Sequence, residues 1–228
     1  DLIDIVRINS MTQLVKLYSY LQNHCRARDR SDEEMLIKMQ NAVFYGDIDA
    51  MGAPNNPVLH PNDRVRRYHT VIIDSLTELE AANLATTLNL DAQGIEVGGD
   101  SQTAGWDEYR KNNHTMQRNI RAFRDLDMNV IFICAQSYNQ DEMKRYHYSP
   151  ALTGKLTTQV QGFVDVVGWL IVGTNEAGKP IRRLAVQPHT GPKADAKNRF
   201  AAYSEPYFED PVMLDLMKGF GLITQDKK

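Results

Sequence analysis

An acid and a hydroxyl follow a short apolar run in the first half of the chain. Residues 70–73 are mostly β-branched, the run is too short for a helix, and Asp74 and Ser75 come directly after it. This pattern predicts a central strand of a parallel sheet, buried on both faces. The carboxyl ends of such strands open onto the ligand crevice of an α/β sheet. A carboxylate beside a hydroxyl there suits a hydrated Mg²⁺ that also binds phosphate oxygens.

A purely structural role for Asp74 is the alternative. Asp is a common helix N-cap, and the sequence predicts a helix over residues 76–88 directly after Ser75. Glu78 lies one helical turn beyond Asp74 and is a candidate catalytic base. A side chain within the helix tends to point away from the crevice, which is an argument against this role.

Gln136 ends the next apolar run, residues 129–136, which predicts a second buried strand. An amide at this place can hydrogen-bond a γ-phosphate or the attacking water of a nucleotide hydrolase, and it can change position after hydrolysis. The alternative is an amide that satisfies backbone groups of the following loop. Both interpretations fit the sequence.

Residues 137–160 are predicted to form a mobile loop in which aromatic and basic side chains are interleaved. These side chains are Tyr138, Lys144, Arg145, Tyr146, Tyr148 and Lys155. Nucleobases stack on aromatic rings while Lys and Arg neutralise phosphates, so the composition favours single-stranded DNA as a partner. The alternative is that the tyrosines pack on a neighbouring subunit.

A second basic run lies just after the last predicted strand, where Lys197 and Arg199 flank Asn198. A solvated basic turn is the ordinary outcome of such a run. The residues alone therefore leave open whether these cations contact a ligand.

The elements that must position these residues follow the order strand, helix, strand, helix, strand. A long amphipathic helix is predicted to bury Trp106, Tyr109, Met116, Ile120 and Phe123. Strands at 163–172 and 181–187, joined by a turn at 174–179, predict an antiparallel hairpin at the end of the fold. We therefore expect one α/β domain over residues 1–228, with a mostly parallel sheet flanked by helices. Residues 46–67 are expected to form an irregular surface excursion.

Composition limits the classes of protein that the chain can represent. It has 228 residues, a net charge of −3 and a hydrophobic share of 42%, which are typical of an ordinary globular domain without a general attraction to nucleic acid. Cys25 and Cys134 have neither disulfide nor metal-site spacing. We expect a cytoplasmic protein without a membrane partner, because no apolar run reaches bilayer length and no signal peptide opens the chain.

Taken together, these residues resemble the phage-encoded RecA-like P-loop ATPases of the single-strand annealing and recombination group, relatives of RecA, Rad51 and the DnaB-type helicases. The resemblance extends from Leu2 to about Phe208. It depends on the order and spacing of four segments, which are residues 68–78, 130–136, 163–170 and 197–199.

The resemblance implies a role for each candidate residue. Asp74 becomes the Walker B acid of an ATP–Mg²⁺ site, and Gln136 becomes the phosphate sensor. Lys197 and Arg199 become fingers that reach the nucleotide of the next subunit in a homo-oligomeric ring or filament. The chain contains no G-x-x-x-x-G-K-[ST] segment, so the phosphate loop is expected upstream of residue 1.

Three functions are consistent with this resemblance. The first is an ATPase that binds single-stranded DNA and serves phage recombination or annealing. The second is an assembly protein that keeps the RecA-like fold without turnover. The third is a hexameric helicase-type motor, which shares every residue named above.

Overall fold

A computed structural model of the chain describes residues 8, 10–43, 67–88, 90, 104–140, 142–144, 146–175, 177–187, 193–200 and 205–221. The chain divides into two compact units, Asp1–Cys134 and Ala135–Lys228, where the sequence predicts one domain. Arg145 and most of the predicted excursion at 46–67 lie outside the described residues. Within the described ranges, no helix is long and apolar enough to cross a membrane.

The first unit begins with two helices, α1 (Met11–Asp29) and α2 (Glu33–Val43). Ser10 caps α1, because its hydroxyl accepts a hydrogen bond from the Gln13 amide at 3.2 Å. Near the other end of α1, Arg28 donates to the Tyr68 carbonyl at 3.2 Å and to the Asp127 carbonyl at 2.9 Å. One guanidinium therefore holds the chain in place just before each of the two strands of this unit.

Those strands are β1 (Thr70–Asp74) and β2 (Asn129–Ile133), which pair in parallel. Helices α3 (Leu76–Thr87) and α4 (Trp106–Arg124) lie between them in the chain. The predicted strand β1 and helices α3 and α4 are present, but the prediction that β1 is buried on both faces is wrong, because Ile72 is 50% exposed. The second predicted strand ends earlier than expected, at Ile133 instead of Gln136.

Helix α4 buries only part of the aromatic set that its periodicity predicts. Met116, Ile120 and Phe123 are buried, as expected, but Trp106 is 90% exposed and Tyr109 is 37% exposed. Trp106 is the first residue of the helix, so it lies beyond the turns that pack on the core. The prediction of a buried Trp106 is wrong.

Buried polar side chains link α3 to α4. Asn83 Nδ2 donates to Asn112 Oδ1 at 2.6 Å, and Asn112 Nδ2 donates to Glu80 Oε1 at 3.4 Å. All three residues are at most 5% exposed. Because an unpaired buried polar group is costly, this network fixes how the two helices meet.

The second unit begins with a hairpin of β3 (Gln136–Gln140) and β4 (Tyr146–Pro150), followed by helix α5 (Leu156–Phe163). The predicted loop at 137–160 therefore contains regular structure. Opposed polar side chains support the pairing, because the hydroxyls of Ser137 and Ser149 lie 3.1 Å apart. Gln140 also donates to the Lys144 carbonyl at 3.0 Å and closes the turn.

A three-stranded antiparallel sheet contains β6 (Trp169–Thr174), β7 (Pro180–Ala185) and β10 (Tyr207–Glu209), in the order β10–β7–β6. The predicted terminal hairpin is confirmed, and Asn175 Oδ1 accepts from the Ala177 and Lys179 amides in its turn. The predicted strand at 163–172 is divided, because α5 ends at Phe163 and a two-residue strand β5 (Val166–Val167) precedes β6. Leu170 and Val172 on β6 are exposed.

Three short elements complete the second unit. They are β8 (Lys193–Ala194), which pairs in parallel with β4, β9 (Lys197–Asn198), which pairs with β5, and α6 (Met213–Gly219). Among the described strands, parallel pairing is limited to β1–β2 and β4–β8, so the expected mostly parallel sheet is not present in this part of the chain. Short turns connect β3 to β4 and β6 to β7, and such turns allow only antiparallel pairing.

Candidate functional site

Asp74 and Ser75 occupy the carboxyl end of β1 and have different surroundings. Ser75 is the N-cap of α3, because its hydroxyl accepts from the Glu78 amide at 3.2 Å. Asp74 is exposed and makes no hydrogen bond or ion pair with the residues that the structure describes. The peptide bond between them is cis. The alternative in which Asp74 caps the helix is wrong, and its carboxylate is open to solvent.

An open carboxylate at this place fits a nucleotide-bound Mg²⁺. This ion uses one or two carboxylates and completes its octahedron with waters and phosphate oxygens, so Asp74 alone is a sufficient protein ligand. Among the described residues, no group of three or more His, Cys, Asp or Glu side chains has metal-binding geometry.

Two acids on α3 differ in their surroundings. Glu78 is exposed in the first turn, where the helix dipole favours a negative charge. Glu80 is buried and accepts from Asn112, a feature that the sequence analysis missed. The burial of Glu80 could have been predicted from its position, because Glu80 lies one turn after the buried Leu76 and therefore on the same inward face of α3.

Cys134 follows β2, and burial and the buried acid Glu80 both affect the pKa of its thiol. Burial raises the pKa of the Cys134 thiol to about 11, and the charge of Glu80 adds to the rise. A thiol of this kind is protonated at neutral pH, so it is a poor nucleophile.

Gln136 is the first residue of β3 and is exposed. Its Oε1 accepts a hydrogen bond of 2.6 Å from Nε1 of Trp169, the first residue of β6. The sequence analysis did not single out Trp169. The two residues are 33 positions apart, and no local pattern predicts their contact.

Four aromatic rings form one surface of the second unit, which we call the aromatic face; its members are Tyr138, Tyr146, Tyr148 and Trp169. The ring centroids lie 5.7 Å apart for Tyr138 and Tyr146, 6.3 Å for Tyr138 and Tyr148, and 4.9 Å for Tyr148 and Trp169. Tyr138 opposes Tyr148 in the β3–β4 register, which places both rings on one side of the hairpin. Tyr138 is 64% exposed and Tyr146 is 48% exposed. The structure therefore brings together the three predicted tyrosines and adds a tryptophan.

The predicted DNA-binding cations are near different elements. Lys144 is exposed in the β3–β4 turn, directly before the strand that carries Tyr146 and Tyr148. Lys155 is exposed at the N-terminus of α5. Arg145 lies outside the described residues. Among the described cations, Lys144 is thus the one nearest in the chain to the tyrosines of β4.

Lys197 and Arg199 both contact the C-terminal end of α5 in their own chain. The Lys197 ammonium donates to the Gln161 carbonyl, and Arg199 Nη2 donates to the Gly162 carbonyl at 3.2 Å. Arg199 also lies 3.4 Å from the Asp165 carboxylate. Cations are favourable at a helix C-terminus, where the last carbonyls lack intrahelical partners. Burial, and then the charge of Arg199, lowers the pKa of Lys197.

A further polar group ties this basic segment to the hairpin. Asp195 accepts from Gln161 Nε2 at 2.6 Å, and its other oxygen lies 2.9 Å from His147 Nε2 on β4. The Asp195 amide also donates to the Tyr148 carbonyl at 3.0 Å. The strand that carries two of the tyrosines and the segment that carries Lys197 and Arg199 are therefore directly connected.

Comparison with known protein families identifies the class. A family model described as an AAA domain matches residues 1–200, which is most of the chain. The chain therefore belongs to the AAA domain family, a class of nucleotide-dependent P-loop ATPases with an α/β fold. No curated protein and no solved structure matches it.

Proposed function

We propose that this protein is a RecA-like, magnesium-dependent ATPase that binds single-stranded DNA and serves phage recombination or annealing. The observation that carries the DNA-binding part is the aromatic face. The rings of Tyr138 and Tyr146 are exposed, the four rings are mutually adjacent, and Lys144 lies in the turn that precedes Tyr146. Membership in the AAA domain family supports the ATPase part.

Single strands are the nucleic acid that this surface suits. Their unpaired bases stack on aromatic side chains, and each stacked base contributes about 1–3 kcal/mol. Tyr138 and Tyr146 offer the most exposed rings, and Lys144 supplies a positive charge close to them in the chain. Lys155 and Arg145 are proposed to add further phosphate contacts. Duplex DNA keeps its bases stacked and offers no ring faces to the tyrosines.

The proposed nucleotide chemistry uses residues at the ends of strands. Asp74 would hold the Mg²⁺ of ATP, which neutralises charge on the phosphates, and the Ser75 hydroxyl lies beside it. Gln136 is proposed to donate its amide to a phosphate oxygen or to the attacking water. Glu78 is the candidate base on this chain, and its exposed position in the first turn of α3 is compatible with that role.

The proposed assembly is a homo-oligomer in which a cation of one subunit acts on the nucleotide of the next. Of the two predicted fingers, Arg199 is better suited. Its side chain is 53% exposed, and its ion pair with Asp165 is long, at 3.4 Å. Exposed pairs of this kind contribute little, so Arg199 can exchange partners at low cost. The Lys197 contact is more buried and is better suited to holding the end of α5.

A second candidate function is an assembly protein without turnover. The observation that favours it is that both finger cations already contact α5 of their own chain. Hydrolysis distinguishes the two candidates. The ATPase predicts DNA-stimulated turnover that requires Mg²⁺, whereas the assembly protein predicts binding without turnover.

The DNA-binding proposal is tested with a fluorescently labelled oligo-dT and the variant Tyr138→Ala, using protein expressed from the complete gene. We expect the dissociation constant to rise about 5- to 150-fold, which corresponds to the loss of one stacked base at about 1–3 kcal/mol. Tyr109→Ala is the matched control, since Tyr109 is also a half-exposed tyrosine but lies on α4.

Salt dependence provides a second measurement in the same assay. Lys144→Ala should weaken binding and lower the slope of log K against log salt by about 0.7 for each phosphate that Lys144 neutralises. If Tyr138→Ala and Tyr109→Ala bind alike and the Lys144→Ala slope is unchanged, the aromatic face is not the DNA-binding surface.

A further inference from the structure

The Trp169 side chain contacts both Gln136, the proposed phosphate sensor, and Tyr148, a member of the aromatic face. Its Nε1 donates to Gln136 Oε1 at 2.6 Å, and its ring stacks on Tyr148 with an interplanar angle of 21°. The first contact involves the proposed phosphate sensor, and the second involves the proposed base-stacking surface. One indole therefore joins the two.

The backbone of Trp169 is fixed by the sheet to which it belongs. Trp169 pairs with the buried Ala185 of β7. Gly168, directly before it, approaches Leu184 so closely that an added Cβ would lie 2.7 Å from Leu184 Cδ1. Gln136 and Tyr148 belong to the other sheet, formed by β3, β4 and β8. The indole therefore spans two sheets from a rigid position.

The hydrogen bond also determines which way the Gln136 amide faces. An indole N–H is a donor only, so it must meet the amide oxygen and not the amide nitrogen. The Nε2 group then points away from Trp169, and it has no hydrogen-bond partner among the described residues. An amide with its oxygen held and its NH₂ group unpaired is oriented to donate, which is what a phosphate oxygen requires.

We propose that Trp169 is a positioning residue that orients Gln136 towards an anionic ligand and couples this contact to base stacking on the aromatic face. The inference rests on the proposed function. When Gln136 binds a phosphate oxygen, its oxygen stays on the indole and the Trp169–Tyr148 stack is held in place. Both ligands favour the same placement of the indole, so each raises the population of the state that the other binds, and nucleotide and single-stranded DNA strengthen each other's binding. Coupling between two sites is commonly about 5- to 150-fold in affinity, and we expect a factor in this range.

The test measures oligo-dT affinity by anisotropy with and without a slowly hydrolysed ATP analogue and Mg²⁺. Trp169→Phe keeps an aromatic ring against Tyr148 but removes the N–H donor. We expect the increase in oligo-dT affinity caused by the analogue to fall below about twofold in this variant, measured against the variant's own affinity without nucleotide. Gln136→Glu keeps the acceptor for Trp169 but loses the NH₂ donor, and it should lose the same increase.

Matched controls separate positioning from folding. Trp106 is the only other tryptophan, it is 90% exposed, and Trp106→Phe should leave both affinities unchanged. Urea midpoints of Trp169→Phe and Gln136→Glu are measured in parallel, since a loss of structure would lower affinity in both nucleotide states alike. A Trp169→Phe protein that keeps the full nucleotide-dependent increase would overturn the inference and leave the DNA-binding function standing.

Intrinsic fluorescence distinguishes a failure of this inference from a failure of the proposed function. In the Trp106→Phe background, the emission that is lost on Trp169→Phe reports Trp169, and this emission should change when the ATP analogue binds and again when oligo-dT binds. Absence of any oligo-dT response, together with absence of oligo-dT binding, would reject the DNA-binding function and the coupling with it. Oligo-dT binding without a nucleotide-dependent change in Trp169 emission would reject only the link through Gln136.

Discussion

Asp74 and Ser75 are adjacent in the chain, yet the structure gives them separate tasks. The Ser75 hydroxyl holds the first turn of α3, whereas the Asp74 carboxylate is exposed. This division makes the two residues separable by mutation. We expect substitution of Ser75 to lower stability and substitution of Asp74 to lower ATP hydrolysis.

Asp74→Asn should leave the urea midpoint nearly unchanged and abolish most Mg²⁺-dependent ATP hydrolysis, because an amide is a poor ligand for a hard cation. Ser75→Ala should instead lower the free energy of unfolding by about 1 kcal/mol through loss of the cap. Both are measured on protein expressed from the complete gene, by phosphate release and by urea unfolding. Normal turnover in Asp74→Asn would remove its assignment as the magnesium ligand.

Cys134 gives a prediction about pH. Its pKa is raised in the folded protein from 9.0 to about 11, mainly by burial, so the folded state holds this proton more tightly than the unfolded state does. The resulting stabilisation is complete below pH 9 and is lost as the pH rises to about 11. Urea midpoints of the unaltered protein should therefore fall over this interval more steeply than those of Cys134→Ala. Parallel pH profiles for the two proteins would contradict the assignment.

At the scale of elements, the junction between α3 and α4 depends on polar groups as well as on apolar packing. Asn112→Ala would remove one buried hydrogen bond from Glu80 and one from Asn83. We expect the free energy of unfolding to fall by about 1–3 kcal/mol more than in Asn119→Ala. Asn119 is a matched control on the same helix, because its buried Nδ2 has no hydrogen-bond partner among the described residues. Equal losses in urea unfolding would show that the network adds nothing specific.

The elements that the sequence predicts well are those whose signals are local. The helix predicted directly after Ser75 is present as α3, and the spacing of Met116, Ile120 and Phe123 marks the inner face of α4. A cap and a helical period act within a few residues, so they can be recognised without knowledge of the tertiary structure. Trp106 fits the same period, yet it is exposed because packing ends before the first turn.

The hairpin and the Trp169 contact could not be predicted in the same way. Residues 136–140 are polar, and they form a strand because they pair with β4, not because they are apolar. Strand formation that depends on cross-strand partners has a weak local signature. Trp169 reaches Gln136 through an arrangement of two sheets, which only the folded chain establishes. The tyrosines of the aromatic face were predicted because their type alone indicates a chemistry.

At the scale of the whole molecule, assembly decides between the two roles of the basic segment. Arg199→Ala should change stability by less than about 1 kcal/mol, because its ion pair is exposed and long. If Arg199 acts on the neighbouring subunit, the same substitution should lower ATP turnover by a factor on the order of a thousand. Mixing Arg199→Ala with Asp74→Asn should then restore part of the activity, since some sites combine one intact residue of each kind.

Lys197→Ala is the matched variant for that experiment. Its ammonium holds the end of α5 from a more buried position, so this substitution should lower the urea midpoint more than Arg199→Ala does. If Arg199→Ala and Asp74→Asn assemble together on a sizing column but never complement each other, the basic segment acts within its own chain or only holds structure.

Strand β6 is an edge strand, and its position affects how mixtures of variants must be handled. It is the last strand in the order β10–β7–β6, it exposes Leu170 and Val172, and no described strand covers its outer edge. An uncovered apolar edge is a template on which a strand of another molecule can add, and this is a common start of aggregation. Concentrated stocks would therefore contain aggregates that elute from a sizing column at the same positions as functional rings or filaments. Samples with and without ATP and Mg²⁺ separate the two, because aggregates held by a strand edge do not require nucleotide whereas nucleotide-dependent assemblies do.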